Sequence, residues 1–329
     1  MILSKNITSS IGGYFELELQ PKAIQLYSNA IKFQSARAAF LALLRTGKPR
    51  QVWMPRYICD VMFAPLEITN TKFKLYDLND NFSVADNVNL ESGDWLLYVN
   101  YFGICEPNIA GLIKRFPNDQ LILDFSQSFF EPPPNVMATI YSPRKFFGLP
   151  DGGLLINQLG VPLPEIQDKD SLGRISHLLQ RIEEEPNTGY AAYQQAEASL
   201  TDCTPKRISK FTERLLSSID FESVNRRRIE NFNYLHKKLG ANNLICFNLA
   251  EITNAPLCYP FQVRDHSLRK QLIDNKIYIP MYWKDAISRV SKTWAWSVIE
   301  NCLPLPIDQR YDIEDMERIV SVIQEKDKV

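Results

Sequence analysis

The chain has 329 residues, 45% of them hydrophobic and 23% charged, an ordinary balance for a folded globular protein. Its 37 basic and 38 acidic side chains leave a formal charge of −1, without the basic excess expected of a protein that neutralises nucleic-acid phosphates. This composition excludes disorder, collagen-like repeats and a small disulfide scaffold, and the length suits a large domain joined to a smaller one.

The opening Met1-Ile2-Leu3-Ser4-Lys5-Asn6 lacks the basic stretch and apolar run of a signal peptide. Asn6-Ile7-Thr8 has the spelling of a glycosylation sequon, which carries no weight without secretion. No apolar run approaches the roughly 18 residues of a membrane helix, so the chain is expected to be soluble and cytoplasmic. Through the first half, short β-rich runs alternate with helical patterns. Strands are expected at residues 51–54, 73–76, 95–99, 121–123, 137–141 and 153–156, with helices at 35–45, 58–66 and 107–115. Continuous apolar strands separated by helices predict an α/β domain, a mostly parallel sheet with helices on both faces.

The pattern turns helical and strongly charged from Ile166 to Leu239. The acidic run Glu183-Glu184-Glu185 and the basic run Arg226-Arg227-Arg228 read as solvated helix faces. A helix from Asp220 to Lys238, stopped by Gly240, shows Phe232, Leu235 and Leu239 on one face. A run at 257–263, a helix at 266–275 and a last helix at 312–324 then suggest a small C-terminal α+β domain. The division is expected at 1–239 and 240–329. The six cysteines form no CxxC pair and are read as free thiols, and His177, His236 and His266 stand apart from the motifs below, so no metal is expected.

Three segments carry candidate chemistry. Leu121-Ile122-Leu123-Asp124-Phe125-Ser126-Gln127 puts an acid at the C-terminal end of a buried strand, where open α/β sheets place ligands; in isolation it equally describes a capped turn. In Ser142-Pro143-Arg144-Lys145-Phe146-Phe147, a lysine among apolar neighbours is expected to be partly desolvated, with a lowered pKa and a nucleophilic amine; alone it equally fits a surface loop. Asp151-Gly152-Gly153 supplies a tight turn into the next strand. Gln34-Ser35-Ala36-Arg37 starts a helix with a good N-cap, a ready anion site or simply a capped helix. Together, an anion cradle, a strand-end acid and a lysine after the next strand fit pyridoxal 5′-phosphate (PLP). The lysine would hold the aldehyde as a Schiff base, the cradle the phosphate, and the acid the ring nitrogen.

On these residues the chain resembles the sugar aminotransferases of the DegT/DnrJ/EryC1/StrS group, within the fold-type I PLP-dependent transferases. The resemblance is carried by Ser35-Ala36-Arg37-Ala38-Ala39, Trp53-Met54-Pro55-Arg56-Tyr57, Val99-Asn100-Tyr101-Phe102-Gly103, Asp124-Phe125-Ser126-Gln127, Lys145-Phe146-Phe147-Gly148 with Asp151-Gly152-Gly153, and Leu303-Pro304-Leu305-Pro306-Ile307. It implies Lys145 as Schiff-base lysine and proton shuttle, Asp124 on the pyridine nitrogen and Gln127 on the ring hydroxyl. Ala36 and Arg37 would offer backbone amides to the phosphate, and Ser142 a hydroxyl. It also implies a homodimer with active sites at the interface, an amino acid donor such as glutamate, and a keto-sugar acceptor, nucleotide-linked, as in polysaccharide biosynthesis.

The chain departs from the family pattern at several points. Ser35-Ala36-Arg37 replaces the usual Ser-Gly-Thr, and the loop from Lys145 to Asp151 is a residue shorter. The ring-stacking aromatic would align near Cys59; Tyr57 is the substitute, with Tyr101 and Phe102 as alternatives. The segment by which family members reach the partner's phosphate has no match, and Ser209 in Pro205-Lys206-Arg207-Ile208-Ser209 stands nearest. Two other readings remain: a PLP enzyme of this fold acting on a non-sugar substrate or performing dehydration, and a non-catalytic sensory relative. The related dehydratases replace the lysine by histidine, which the intact Lys145 opposes.

Overall fold

The computed structural model describes residues 11–246, 252–290 and 294–325; Asn6-Ile7-Thr8 lies outside them. Strands β1 (Ile31–Phe33), β2 (Gln51–Pro55), β3 (Phe73–Tyr76), β4 (Asp94–Val99), β5 (Leu121–Asp124), β6 (Ala138–Tyr141) and β7 (Gly153–Asn157) form one sheet in the order β1-β7-β6-β5-β4-β2-β3. The pairs β2–β3, β2–β4, β4–β5 and β5–β6 are parallel, and β7 runs antiparallel to both β6 and β1. The predicted strands are therefore all present. The three-residue β1 was too short to announce itself.

Helices α1 (Ala36–Gly47), α2 (Ala64–Ile68) and α3 (Glu106–Arg115) connect the strands. The single helix expected at 58–66 does not form. Its place is taken by an irregular loop, a 3₁₀ turn at Asp60–Met62 and the short α2, with Pro65 in the first turn of α2, where it costs no hydrogen bond. In α1, Ser35 accepts a hydrogen bond from the Ala38 amide, and the run from Ala38 to Leu44 is buried on the sheet. Gly47 ends this helix for a packing reason: a Cβ there would come within 2.3 Å of the Trp95 ring.

The charged stretch forms α4 (Ser171–Arg174), α5 (Ser176–Glu183), α6 (Tyr190–Ser199), α7 (Lys210–Ser217) and the long α8 (Phe221–Leu239). An extended segment separates α6 from α7 and lies along β1, with Gln34 N donating to Lys206 O and Ile208 N to Lys32 O. Strands β8 (Tyr259–Gln262) and β9 (Cys302–Leu305) pair antiparallel, accompanied by α9 (Leu268–Asp274), α10 (Trp294–Asn301) and α11 (Ile313–Gln324). Helix α8 packs on α11 and β8, so the long helix and the small sheet share one layer. A capping box between Asp312 and Asp315 starts α11, where negative charge meets the positive end of the helix dipole. No helix among the described residues is long and apolar enough to cross a membrane.

The register fixes where the ligand end of the sheet lies. Val99, Asp124 and Ile140 sit side by side on β4, β5 and β6, so the C-terminal ends of these parallel strands open onto one crevice. Turning the chain back into β7 brings Gly153 beneath the start of α1. A Cβ on Gly153 would fall 2.2 Å from the Ser35 carbonyl carbon and 2.4 Å from the Ala36 nitrogen. We therefore expect Gly153→Ala to push the N-terminus of α1 away from the sheet and to cost about 2–3 kcal/mol in denaturant unfolding.

Candidate active site

Asp124 ends β5 and is 6% exposed; its Oδ1 accepts from the Ser126 amide at 2.8 Å. That bond turns the chain so that Gln127 enters the interior. The Gln127 Oε1 accepts from the Phe102 amide at 2.5 Å, while its buried Nε2 has no hydrogen-bond partner. Phe102 holds a positive φ of 58°, and Gly103 after it is packed so closely that a Cβ would lie 2.4 Å from the Gln127 carbonyl oxygen. A buried donor without an acceptor is costly, and it marks a place where a ligand oxygen fits.

The loop after β6 carries Ser142 and Lys145. Ser142 is buried, and residues Pro143–Lys145 make one 3₁₀ turn in which the Lys145 amide donates to Ser142 O at 3.1 Å. Phe146 and Phe147 turn into the core, and the Lys145 side chain is left exposed. The expected desolvation of this lysine is therefore corrected for the single chain: its apolar sequence neighbours point the other way.

Arg228 holds this loop, and here the sequence reading failed. Arg228 is 1% exposed, not on a solvated face. Its guanidinium donates to Phe146 O at 3.1 Å, to Leu257 O at 3.2 Å and to Gln309 Oε1 at 2.9 Å, and it stacks 4.6 Å over the Phe146 ring. Burial pulls its pKa down to about 10, against the pull of Asp308. Leu257 N in turn donates to Phe102 O at 2.9 Å. A continuous set of bonds thus links the lysine loop, the Phe102 turn and Gln127.

At the other end of the crevice stands α1 with Ala36 and Arg37, both half-buried. Burial lowers the Arg37 pKa, Glu197 opposes that, and the neighbouring Arg144 adds to it. Arg144 is tied to Glu197 of α6 and keeps a buried Nε without a partner. Two guanidiniums near one helix N-terminus give an anion a charged as well as a dipolar reason to bind. Arg144 was the residue missed here; its place between Ser142 and Lys145 in sequence was the available signal.

Other expectations need correction. Tyr57 is 2% exposed, with its ring stacked on Tyr101 at 5.2 Å and tilted against Trp283 at 4.7 Å, leaving no open face for a ligand. Tyr101 and Phe102 are buried in the same cluster. Ser209 is buried as the N-cap of α7, accepting from Thr212 N at 3.1 Å, and is not free to reach a second subunit. Among the described residues no group of three or more His, Cys, Asp and Glu side chains could hold a metal.

No protein-family model matches this sequence, and no curated protein does. Solved structures do match in shape. The sugar aminotransferase CalS13 from Micromonospora echinospora is 14% identical with a TM-score of 0.61, covering 90% of this chain and 87% of the other. The chain has the fold-type I architecture. Spr1654 from Streptococcus pneumoniae in its PLP form is 13% identical with a TM-score of 0.61, over 90% and 86%. A DegT DnrJ EryC1 StrS aminotransferase from Brucella abortus is 15% identical with a TM-score of 0.57, over 90% and 85%. In this fold-type I chain the crevice at the ends of β4, β5 and β6 brings Asp124, Gln127, Ser142 and Lys145 to neighbouring loops, and Tyr57 falls behind them.

Two predictions follow from the packing around this crevice. Arg228→Ala removes the donor to the Leu257 carbonyl and to Gln309 Oε1 and opens a cavity, and should cost about 3 kcal/mol or more in denaturant unfolding; Arg228→Lys should recover less than half, because a point charge cannot reproduce the fork. Asp151 is fully buried beside Arg174, at 3.7 Å, and burial pushes its carboxyl up to about 6 although the Thr212 and Ser209 hydroxyls favour the anion. The unfolded carboxyl titrates near 3.8, so between these values the folded state keeps a proton that the unfolded state releases. Stability from this group is complete below about pH 4 and is lost as pH rises through about 6. Asp151→Asn should therefore be more stable than the wild type by ~3 kcal/mol at neutral pH, the difference vanishing near pH 4 in unfolding curves.

Proposed function

We propose that this protein is a PLP-dependent aminotransferase that moves an amino group from an amino acid, glutamate being the expected donor, to a keto sugar carried on a nucleotide. The observation that carries the reading is the buried, partnerless Nε2 of Gln127 beside the strand-end carboxylate of Asp124, with Lys145 on the next loop. These residues fit PLP: a donor for its ring oxygen, an anion for its ring nitrogen, an amine for its aldehyde, and the start of α1 with Arg37 and Ser142 for its phosphate. When bound, the cofactor supplies an electron sink that acidifies the carbon bearing the transferred amino group.

The chain's own residues would do the rest. Lys145 would hold the cofactor through its amine and, once displaced by the donor, would be placed to take and return the proton of the carbon bearing the amino group. Asp124 would hold the ring nitrogen in its protonated form, and the burial of this carboxylate would strengthen such an ion pair. Glutamate leaves as its keto acid before the keto sugar enters, a two-stage exchange. The exposure of Lys145 fits a site completed by a second copy of the chain. Exposed apolar side chains at Leu172, Leu179, Ile182 and Tyr190 supply a surface that a homodimer would cover. In the same reading, residues 1–239 and 240–329 form a larger and a smaller domain bridged by α8, and the protein works in the cytoplasm in polysaccharide biosynthesis.

A non-catalytic ligand binder is the second reading, favoured by Cys59 where an aromatic would stack. Borohydride reduction with added PLP should fix the cofactor on Lys145, read by peptide mass analysis, and Lys145→Ala should abolish both the adduct and turnover. Asp124→Asn should slow amino transfer by about a hundredfold or more. An adduct that fails to give pyridoxamine phosphate with glutamate would leave the binder; no adduct at all would end the cofactor assignment.

A further inference from the structure

The loop at 56–60 follows β2 into the crevice without regular structure, yet its carbonyls are accounted for. The Tyr57 carbonyl accepts from the Tyr101 hydroxyl at 2.9 Å, the Cys59 carbonyl from Met62 N at 3.2 Å and the Asp60 carbonyl from Phe63 N at 3.0 Å. The other two are taken by one side chain from far along the sequence. Arg289 donates through Nε to Arg56 O at 3.3 Å and through Nη2 to Ile58 O, while Nη1 pairs with the Asp60 carboxylate. Its guanidinium also lies 5.0 Å from the Phe63 ring centroid, and Asp285 accepts from the Asp60 amide at 2.5 Å. Two residues near the 3₁₀ turn Lys284–Ser288 therefore grip the loop from outside.

The gripped loop carries the half-buried Cys59 just past the C-terminal end of β2, which pairs in parallel with β4, so the thiol belongs to the ligand end of the sheet. Burial pushes its thiol up to about 11, and the charges acting on it are Lys145, Asp124, Asp285 and Arg37. Three of these are the candidate residues of the site, and they come from three separate parts of the sheet domain. The partnerless Nε2 of Gln127, in a side chain 1% exposed, is an independent sign that a ligand belongs in this crevice.

We propose that Arg289 and Asp285 are positioning residues, holding the 56–60 loop so that the Cys59 thiol forms a wall of the cofactor site beside Asp124 and Lys145. This rests on the cofactor assignment above. Arg suits the task because its planar fork meets two carbonyls and a carboxylate at fixed angles.

The test is thiol mapping on the full-length protein with iodoacetamide, near pH 9 so that some thiolate forms, with and without added PLP. Exposed Cys246 serves as internal reference. PLP should slow Cys59 alkylation by about tenfold and leave Cys246 unchanged. Arg289→Ala should speed Cys59 alkylation by about tenfold without PLP and abolish the protection, as expected when a local opening becomes easier. Arg289→Lys should fall between, and with Asp285→Asn it carries the test if Arg289→Ala does not fold.

Equal labelling of Cys59 with and without PLP, while borohydride still fixes the cofactor on Lys145, overturns this inference and leaves the function standing. Absence of both protection and adduct overturns both. Protection without an adduct supports the wall and removes the lysine's role. An Arg289→Ala protein that melts earlier yet protects Cys59 as well as the wild type reduces Arg289 to a structural residue and overturns its positioning role.

Discussion

The buried guanidinium of Arg228 is the interaction on which the crevice depends. A charge enclosed in protein is tolerated only when its donors are used, and those of Arg228 are spread over the lysine loop, the 256–257 segment and Gln309. From Leu257 the bonds run on to Phe102 and Gln127. Three loops that leave different strands are thereby fixed relative to one another, and the side chains they carry inherit that precision. Gln309 repeats the contact to the Phe146 carbonyl at 2.9 Å, so the residue following Lys145 is held twice.

Much of this was legible in the amino-acid order, because the physics of the sheet is local. Short apolar runs bounded by turns, such as Leu96-Leu97-Tyr98-Val99, read as strands buried on both faces, and Asp124 stands at the C-terminal end of the run Leu121-Ile122-Leu123. The cap of α1 was equally plain, since Ser35 bonds the Ala38 amide. What stayed hidden depends on contacts between distant segments. Arg226-Arg227-Arg228 looks like a solvated run. Yet Arg228 precedes Phe232 by one helical turn and joins the stripe of Asn231, Phe232, Leu235 and Leu239, so the helix phase held the answer that composition concealed.

The same distinction explains the site residues. The place of Lys145 just after β6 was visible, but its exposure was not, because Phe146 and Phe147 claim the apolar interior that its neighbours seemed to promise. Tyr57 was a reasonable aromatic by position and fails by direction: its ring joins a cluster with Tyr101 and Trp283, the last contributed by a part of the chain no local reading could connect to it. Fold similarity at 14% identity fits this picture.

The grip of Arg289 on the 56–60 loop also bears on the order in which the molecule can mature. The contact to the Ile58 carbonyl joins residues separated by 231 positions. During translation the sheet can collapse as it emerges, but the rim beside β2 must wait for its donors until Arg289 has left the ribosome. A product terminated before Arg289 would thus possess the seven strands of the large sheet and the lysine and still lack a finished rim.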